Sequence, residues 1–342
     1  KNASDRVKRT TKLMTEENIF PIFISWDSAP FTNYGDYLFQ LRKGELDPFW
    51  GPISSPAIFA EDMLRSVARA PAAIYNMISN SAAVSIWYEN EEEYQARMKL
   101  APLEDMGFVL HNSDSDTGHG FKDWWSLFIP VKFLTAPFVD GLGTGAWESM
   151  LRRTDLLLVK DANGIHPQGS ETAASILFEK LRGKELNIIG HSMGTIVANN
   201  IIARYPDIKF NNIVYMAGAC RIKDIRNVVV PYLARNDDVA FYNLTLNPYR
   251  DMSENFFIDF APRGSLLMWI DDALGDVNSF QDRTAGFWFN MIRAAEETFP
   301  KDVRDQVHLT QFGITEGPEK HGEFGGYPFW RRTFWEGNPS KD

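Results

Sequence analysis

Cysteine is nearly missing from this chain. Cys220 is the only one in 342 residues, so no disulfide can form within it. That is compatible with a reducing, cytoplasmic compartment and does not establish one. No uninterrupted apolar run reaches the roughly 18 residues that a membrane span needs, and no signal peptide is visible. Positive charge is in deficit: 35 Lys and Arg stand against 45 Asp and Glu, for a net charge of −10. A bulk electrostatic attraction to nucleic acid or to an anionic membrane is therefore not expected. No phosphate-binding glycine loop of either common spacing is present, so nucleotide binding has no motif to rest on. No fixed-period repeat suggests a solenoid.

What is present is apolar material for a core: hydrophobic residues make up 44% of the chain, with 25 Phe and 10 Trp. The arrangement centres on one stretch, Glu185–Val197. A short β-prone run, Leu186-Asn187-Ile188-Ile189, leads into Gly190-His191-Ser192-Met193-Gly194. A helical pattern follows, with Met193, Val197, Ile201 and Ile202 on one face and Pro206 closing it. This is Gly-x-Ser-x-Gly in a strand–turn–helix context. The chemistry explains the spacing. A serine on a tight turn projects its hydroxyl out of the sheet, and small residues at Gly190 and Gly194 avoid clashes where strand and helix approach. The helix N-terminus offers the amide of Met193 to a developing oxyanion.

These residues resemble the nucleophile elbow of the α/β-hydrolase superfamily, and more closely its bacterial esterase- or lipase-like branch with a Gly/Ala-His-Ser-Met-Gly elbow. The resemblance covers residues 1–30 and about 147–335. It implies a mostly parallel, doubly wound α/β sheet formed by 1–30 and 147–342, with 31–146 inserted as a mostly helical cap or lid. In the family, a strand ending in His-Gly precedes a polar loop, a helix and a strand ending near Ser-Trp. Asn2 and Ser4 match the loop and Ile22–Trp26 the later strand, while the His-Gly is absent. On that match the strand carrying the second oxyanion donor lies upstream of Lys1. The alternative makes Ile22–Trp26 the oxyanion strand, with Asp27 or Ser28 giving the amide.

Elsewhere the pattern predicts a charged helix over Lys1–Glu17, a buried strand over Asn18–Trp26, and a helix over Ala60–Ser79 interrupted by Pro71. An acidic helix is expected over Glu89–Arg97 and a polar turn over Asn112–Gly120. Helices are expected over Trp147–Leu158, Ser170–Leu181 and Ala285–Thr298, and strands over Asn211–Ala217, Val239–Leu246 and Gln306–Phe312. Strands alternating with helices point to a parallel sheet covered on both faces.

A serine nucleophile needs a base, and the base needs an acid to fix its tautomer, in the chain order Ser, acid, His. His308 falls inside a predicted strand. His321 follows that strand and is the candidate base; the His321-Gly322 pair followed by Tyr327-Pro328-Phe329-Trp330 also resembles the family's C-terminal end. The acid is open among Asp251, the first carboxylate beyond the strand ending at Leu246, Glu254, and Asp224 after the preceding strand. Carboxylates in such places also cap helices. His111 and His119 flank an Asp-x-Asp-x-Gly run that lacks the downstream Glu of a calcium loop, so no metal is expected. No organic cofactor is required.

The expected activity is hydrolysis of carboxylic esters through an acyl-enzyme on Ser192, with His321 as base, Asp251 orienting it and Met193 donating to the oxyanion. The substrate is a small-molecule or lipid ester. The apolar run Phe128–Val139 can line an acyl pocket or simply pack as core. Two alternatives stand beside it: a non-catalytic binding protein on the same fold, and a phospholipase-type lipase working at membranes. Acyl group, alcohol and oligomeric state are not encoded in any motif.

Overall fold

The computed structural model describes residues 2–24, 30–42, 45–89, 102–112, 143–152, 154, 173–254, 264–275, 277–314 and 316–339. Expectations placed on Asp27, Ser28, His119 and the Phe128–Val139 run lie outside these residues. The acidic helix expected over Glu89–Arg97 lies almost wholly outside them too.

The centre is a five-stranded sheet in the order β3 (Val109–Asn112), β7 (Val307–Gln311), β6 (Ala240–Thr245), β5 (Phe210–Met216) and β4 (Leu186–His191). Every pairing in it is parallel. Parallel strands need crossovers, and the crossovers cover the faces, which is why β5 and β6 read as near-continuous apolar runs. Ile213, Val214 and Tyr215 of β5 and Phe241, Tyr242 and Leu244 of β6 are fully buried. Helices flank the sheet: α6 (Gly194–Arg204) follows β4, and α8 (Trp288–Thr298) precedes β7. The class is α/β.

Earlier helices are α1 (Asn2–Glu16), α2 (Pro30–Phe39), α3 (Trp50–Glu89), α4 over 143–152 and α5 (Ala173–Lys180); α7 (Pro248–Ser253) follows β6. A two-residue hairpin, β1 (Leu41–Arg42) with β2 (Glu45–Leu46), separates α2 from α3. The two ends of the chain meet: Glu17 accepts from Arg331 Nη2 at 2.6 Å and from Trp330 Nε1 at 3.0 Å.

Three features differ from the sequence expectation. The run from Ile19 to Ile24 is not a buried strand; Phe20 is 89% exposed, and Ile22, Phe23 and Ile24 also face solvent. Asn18 turns the chain with φ 59°, and Pro21 removes a ladder donor from the middle of the run. Second, the 31–146 region, expected as an inserted and mostly helical cap, also supplies β3, which adds a fifth strand to the sheet beside β7, with Val109 opposite His308. Third, α3 runs unbroken through Pro56 and Pro71. Proline leaves the carbonyl four residues back without its helical donor. For Pro56 that carbonyl belongs to Pro52, and the Ser55 hydroxyl donates to it at 2.8 Å.

Candidate functional site

The turn between β4 and α6 holds Ser192 in the left-handed region, φ 52°. A non-glycine residue there costs on the order of 1–3 kcal/mol and persists only where its surroundings over-determine it. Here they do. The Ser192 amide donates to Met216 O at 2.9 Å. Its carbonyl accepts from Thr195 N (3.1 Å), Ala219 N (3.1 Å) and Thr195 Oγ1 (2.7 Å). The same Thr195 oxygen accepts from Cys220 N at 3.1 Å, tying the turn to the end of β5.

The two elbow glycines are not equivalent. A Cβ on Gly190 would lie 2.9 Å from the backbone of Gly194 and Thr195, so only glycine fits where strand meets helix. A Cβ on Gly194 would meet nothing within 4 Å, so the expected steric role of Gly194 is not present. Met193 is buried and caps α6, with Val197, Ile201 and Ile202 buried beyond it. Its position sets its amide at the start of an 11-residue helix.

His321 opens a 3₁₀ turn, His321–Gly326, after β7, and its ring is buried. Its Nε2 lies 2.7 Å from Ser192 Oγ, across 129 residues of sequence. Its backbone is held on both sides. Glu254 Oε2 accepts from the His321 amide at 3.1 Å, and His191 Nε2 bonds the His321 carbonyl at 2.8 Å. A carbonyl only accepts, so His191 carries its proton on Nε2. Phe324 stands beside the His191 ring, 5.7 Å between centroids.

Burial drives the His321 imidazole down to about 3, with His191 adding to the effect. It is neutral over the whole neutral range. To accept the Ser192 proton it must carry its own proton on Nδ1, and Nδ1 is buried with no hydrogen-bond partner among the described residues.

The three candidate acids sit in different settings. Asp224 accepts from the Arg221 amide at 2.9 Å and caps a short helix there. Glu254 is committed to the His321 backbone. Asp251, in the first turn of α7, is fully buried, and neither carboxylate oxygen has a hydrogen-bond partner among the described residues. Burial pushes its carboxyl up to about 8, the Ser265 hydroxyl opposing slightly from beyond hydrogen-bond reach, and the Glu254 and Asp271 carboxylates adding to the rise. Two buried groups, an imidazole donor and a carboxylate acceptor, thus each lack the kind of partner the other is.

Other polar networks escaped the sequence reading. Asp271 accepts from Thr284 N (2.7 Å), Thr284 Oγ1 (3.1 Å) and Asn290 Nδ2 (2.5 Å), joining residues 270–274 to the start of α8. His111 Nε2 and His308 Nδ1 lie 3.0 Å apart on β3 and β7. His191 had a visible signal, its place beside Ser192; the others had none, because their partners are distant in sequence. Among the described residues, no three His, Cys, Asp or Glu are grouped to hold a metal ion.

No family model, curated protein or solved structure matches this chain.

Proposed function

We propose that the chain is a serine hydrolase of the α/β-hydrolase type that cleaves carboxylic esters. The observation that carries this reading is the 2.7 Å contact between Oγ of the left-handed Ser192 and Nε2 of the buried, neutral His321. A hydroxyl on a strained turn, paired with an unprotonated imidazole, is the arrangement nucleophilic catalysis requires. Ser192 Oγ attacks the ester carbonyl while its proton passes to His321 Nε2. The carbonyl π electrons move to oxygen, and the Met193 amide donates to that oxyanion. As the tetrahedral adduct collapses, the C–O bond breaks and the alcohol leaves with the proton from Nε2. Water repeats the sequence against the acyl-Ser192 ester, releasing the acid and restoring the hydroxyl.

Asp251 is the acid of this proposal. Asp224 is engaged as a cap and Glu254 as a backbone acceptor, whereas the Asp251 carboxylate is buried and uncommitted. One observation favours the non-catalytic alternative: Nδ1 of His321 has no hydrogen-bond partner among the described residues. The test is labelling with a fluorophosphonate probe on the wild type, Ser192→Ala and His321→Ala, each checked for folding by circular dichroism. Labelling of the wild type alone supports the hydrolase. A folded wild type that stays unlabelled overturns it and leaves the binding protein.

A further inference from the structure

Helix α3 is built inside out. Its protein-facing side carries polar residues: Asp62 accepts from Tyr34 Oη at 3.1 Å, and Ser55 and Ser66 are buried beside it. Arg69 on the same side donates through Nη2 to the carbonyls of Gly275 (3.0 Å) and Ala273 (3.4 Å). The opposite side is apolar and faces solvent. Trp50, Ile53, Leu64, Val67, Tyr75 and Ile78 are between 44% and 73% exposed. At 3.6 residues per turn these positions fall on one stripe, opposite Ser55, Asp62, Ser66 and Arg69. From Trp50 to Ile78 the stripe is about 40 Å long. Soluble surfaces rarely expose contiguous apolar patches beyond a few hundred Å². The helix cannot roll to hide this one, because its polar side is pinned to residues 273–275 and to Tyr34.

We propose that the outer face of α3 seats the protein on a lipid–water interface of neutral, zwitterionic lipids. Charge and shape select this occupant. The charges flanking the stripe are Glu61 and Arg65, which pair with each other at 2.8 Å, so the face is neutral on a chain of net charge −10. An anionic surface gains nothing from it. A second copy packed as a coiled coil would use a narrow seam flanked by charged pairs that set register. This face is broader, carries Ala57, Ala60 and Pro71 exposed along it, and its flanking charges Glu61 and Arg65 pair within α3 itself, four residues apart. Aromatic rings stand at both ends: Phe49 against Trp50 (5.3 Å between centroids) and Tyr75. Rings of this kind favour the headgroup boundary. A lipid surface demands no register and accepts a broad neutral stripe.

The test uses the full chain as Ser192→Ala, so that binding is read without turnover and stands apart from the esterase reading. Flotation with phosphatidylcholine vesicles is compared with phosphatidylcholine vesicles containing phosphatidylserine. The protein is expected to float with both, with no gain from the anionic lipid. Leu64→Glu combined with Val67→Glu, both at solvent-facing positions, is expected to weaken vesicle binding at least tenfold while circular dichroism and thermal midpoint stay unchanged. Absence of flotation overturns the proposal, as does flotation indifferent to the double substitution. A dimer in light scattering that the double substitution converts to monomer also overturns it, and assigns the face to a second copy.

Discussion

His191 Nε2 donates to the carbonyl oxygen of His321 over 2.8 Å. The residue next to Ser192 in the chain thereby holds the residue that faces Ser192 in space. The turn at Ser192 and the loop at His321 are tied to each other, and the 2.7 Å Oγ–Nε2 contact is the short side of that closed circuit.

Replacing His191 by Phe keeps a ring beside Phe324 and removes the tie. The fluorophosphonate labelling rate is expected to fall about tenfold, equivalent to about 1.4 kcal/mol, near the value of one buried hydrogen bond. A pH profile distinguishes this from loose packing. Burial holds the His321 imidazole below its ordinary range and His191 adds to it, so loss of His191 raises that value and moves the acid limb of the labelling profile to higher pH. An unchanged rate and an unmoved limb would remove His191 from the site's machinery.

Asp251 connects the site to stability. Burial pushes its carboxyl up to about 8 in the folded chain, against an ordinary value of 3.8. The folded state therefore holds a proton that the unfolded state releases, and stability is lost as pH rises from about 4 to about 8, then levels. Asp251→Asn mimics the protonated form. Its unfolding free energy should match wild type near pH 4 and exceed it increasingly up to pH 8, by about 2 kcal/mol or more. Labelling answers the second half of the question. If Asp251 is the acid, wild-type labelling climbs through pH 8 as the carboxylate forms, and the Asn variant shows no climb. A flat wild-type profile would take the role away from Asp251.

Much of this architecture is legible in the sequence, for identifiable reasons. Strands β5 and β6 are largely buried on both faces, so each appears as a short, mostly apolar run. The meeting of Ser192 and His321 is legible because the Gly-x-Ser-x-Gly turn flags the serine and the histidine follows the last strand. What stayed hidden depends on distant partners. Val109–Asn112 is four residues long and becomes a strand only through its pairing with β7. The segment around Phe20 is as apolar as a strand and lies exposed. The apolar spacing of α3 signals a helix, but spacing alone does not say which side faces the protein. The role of Glu254, a side chain reaching the backbone of a residue 67 positions away, leaves no local trace.

The two elbow glycines give a paired comparison. Gly190→Ala places a Cβ 2.9 Å from backbone atoms of Gly194 and Thr195, which cannot move independently of α6. A loss of about 2–3 kcal/mol in urea unfolding is expected. Labelling should be lost too, because the strand and helix must part and the turn between them carries Ser192. Gly194→Ala adds a methyl to open space at a helical position and should change stability by less than about 1 kcal/mol, in the stabilising direction. Equal effects of the two substitutions would contradict this packing.

The pair His111 and His308 predicts an acid-sensitive edge to the sheet. Burial, the neighbouring His111 and Arg332 bring His308 down to about 4, with Glu336 opposing, and His111 is lowered mainly by burial. The His308 ring also stacks on Tyr242, 4.3 Å between centroids. A histidine whose folded value lies below the unfolded 6.5 contributes stability that is lost as pH falls through that window, here from about 6.5 to about 4. His321, held near 3, acts in the same direction. His308→Phe preserves the stack on Tyr242 and removes one of the three titrations. The thermal midpoint of this variant should fall less steeply than wild type between pH 6.5 and pH 4. Hydrogen exchange should show a smaller acid sensitivity at β3 and β7 than in wild type, the remainder coming from His111 and His321. If β3 and β7 exchange identically in wild type and variant at pH 4.5, the histidine pair does not hold that edge.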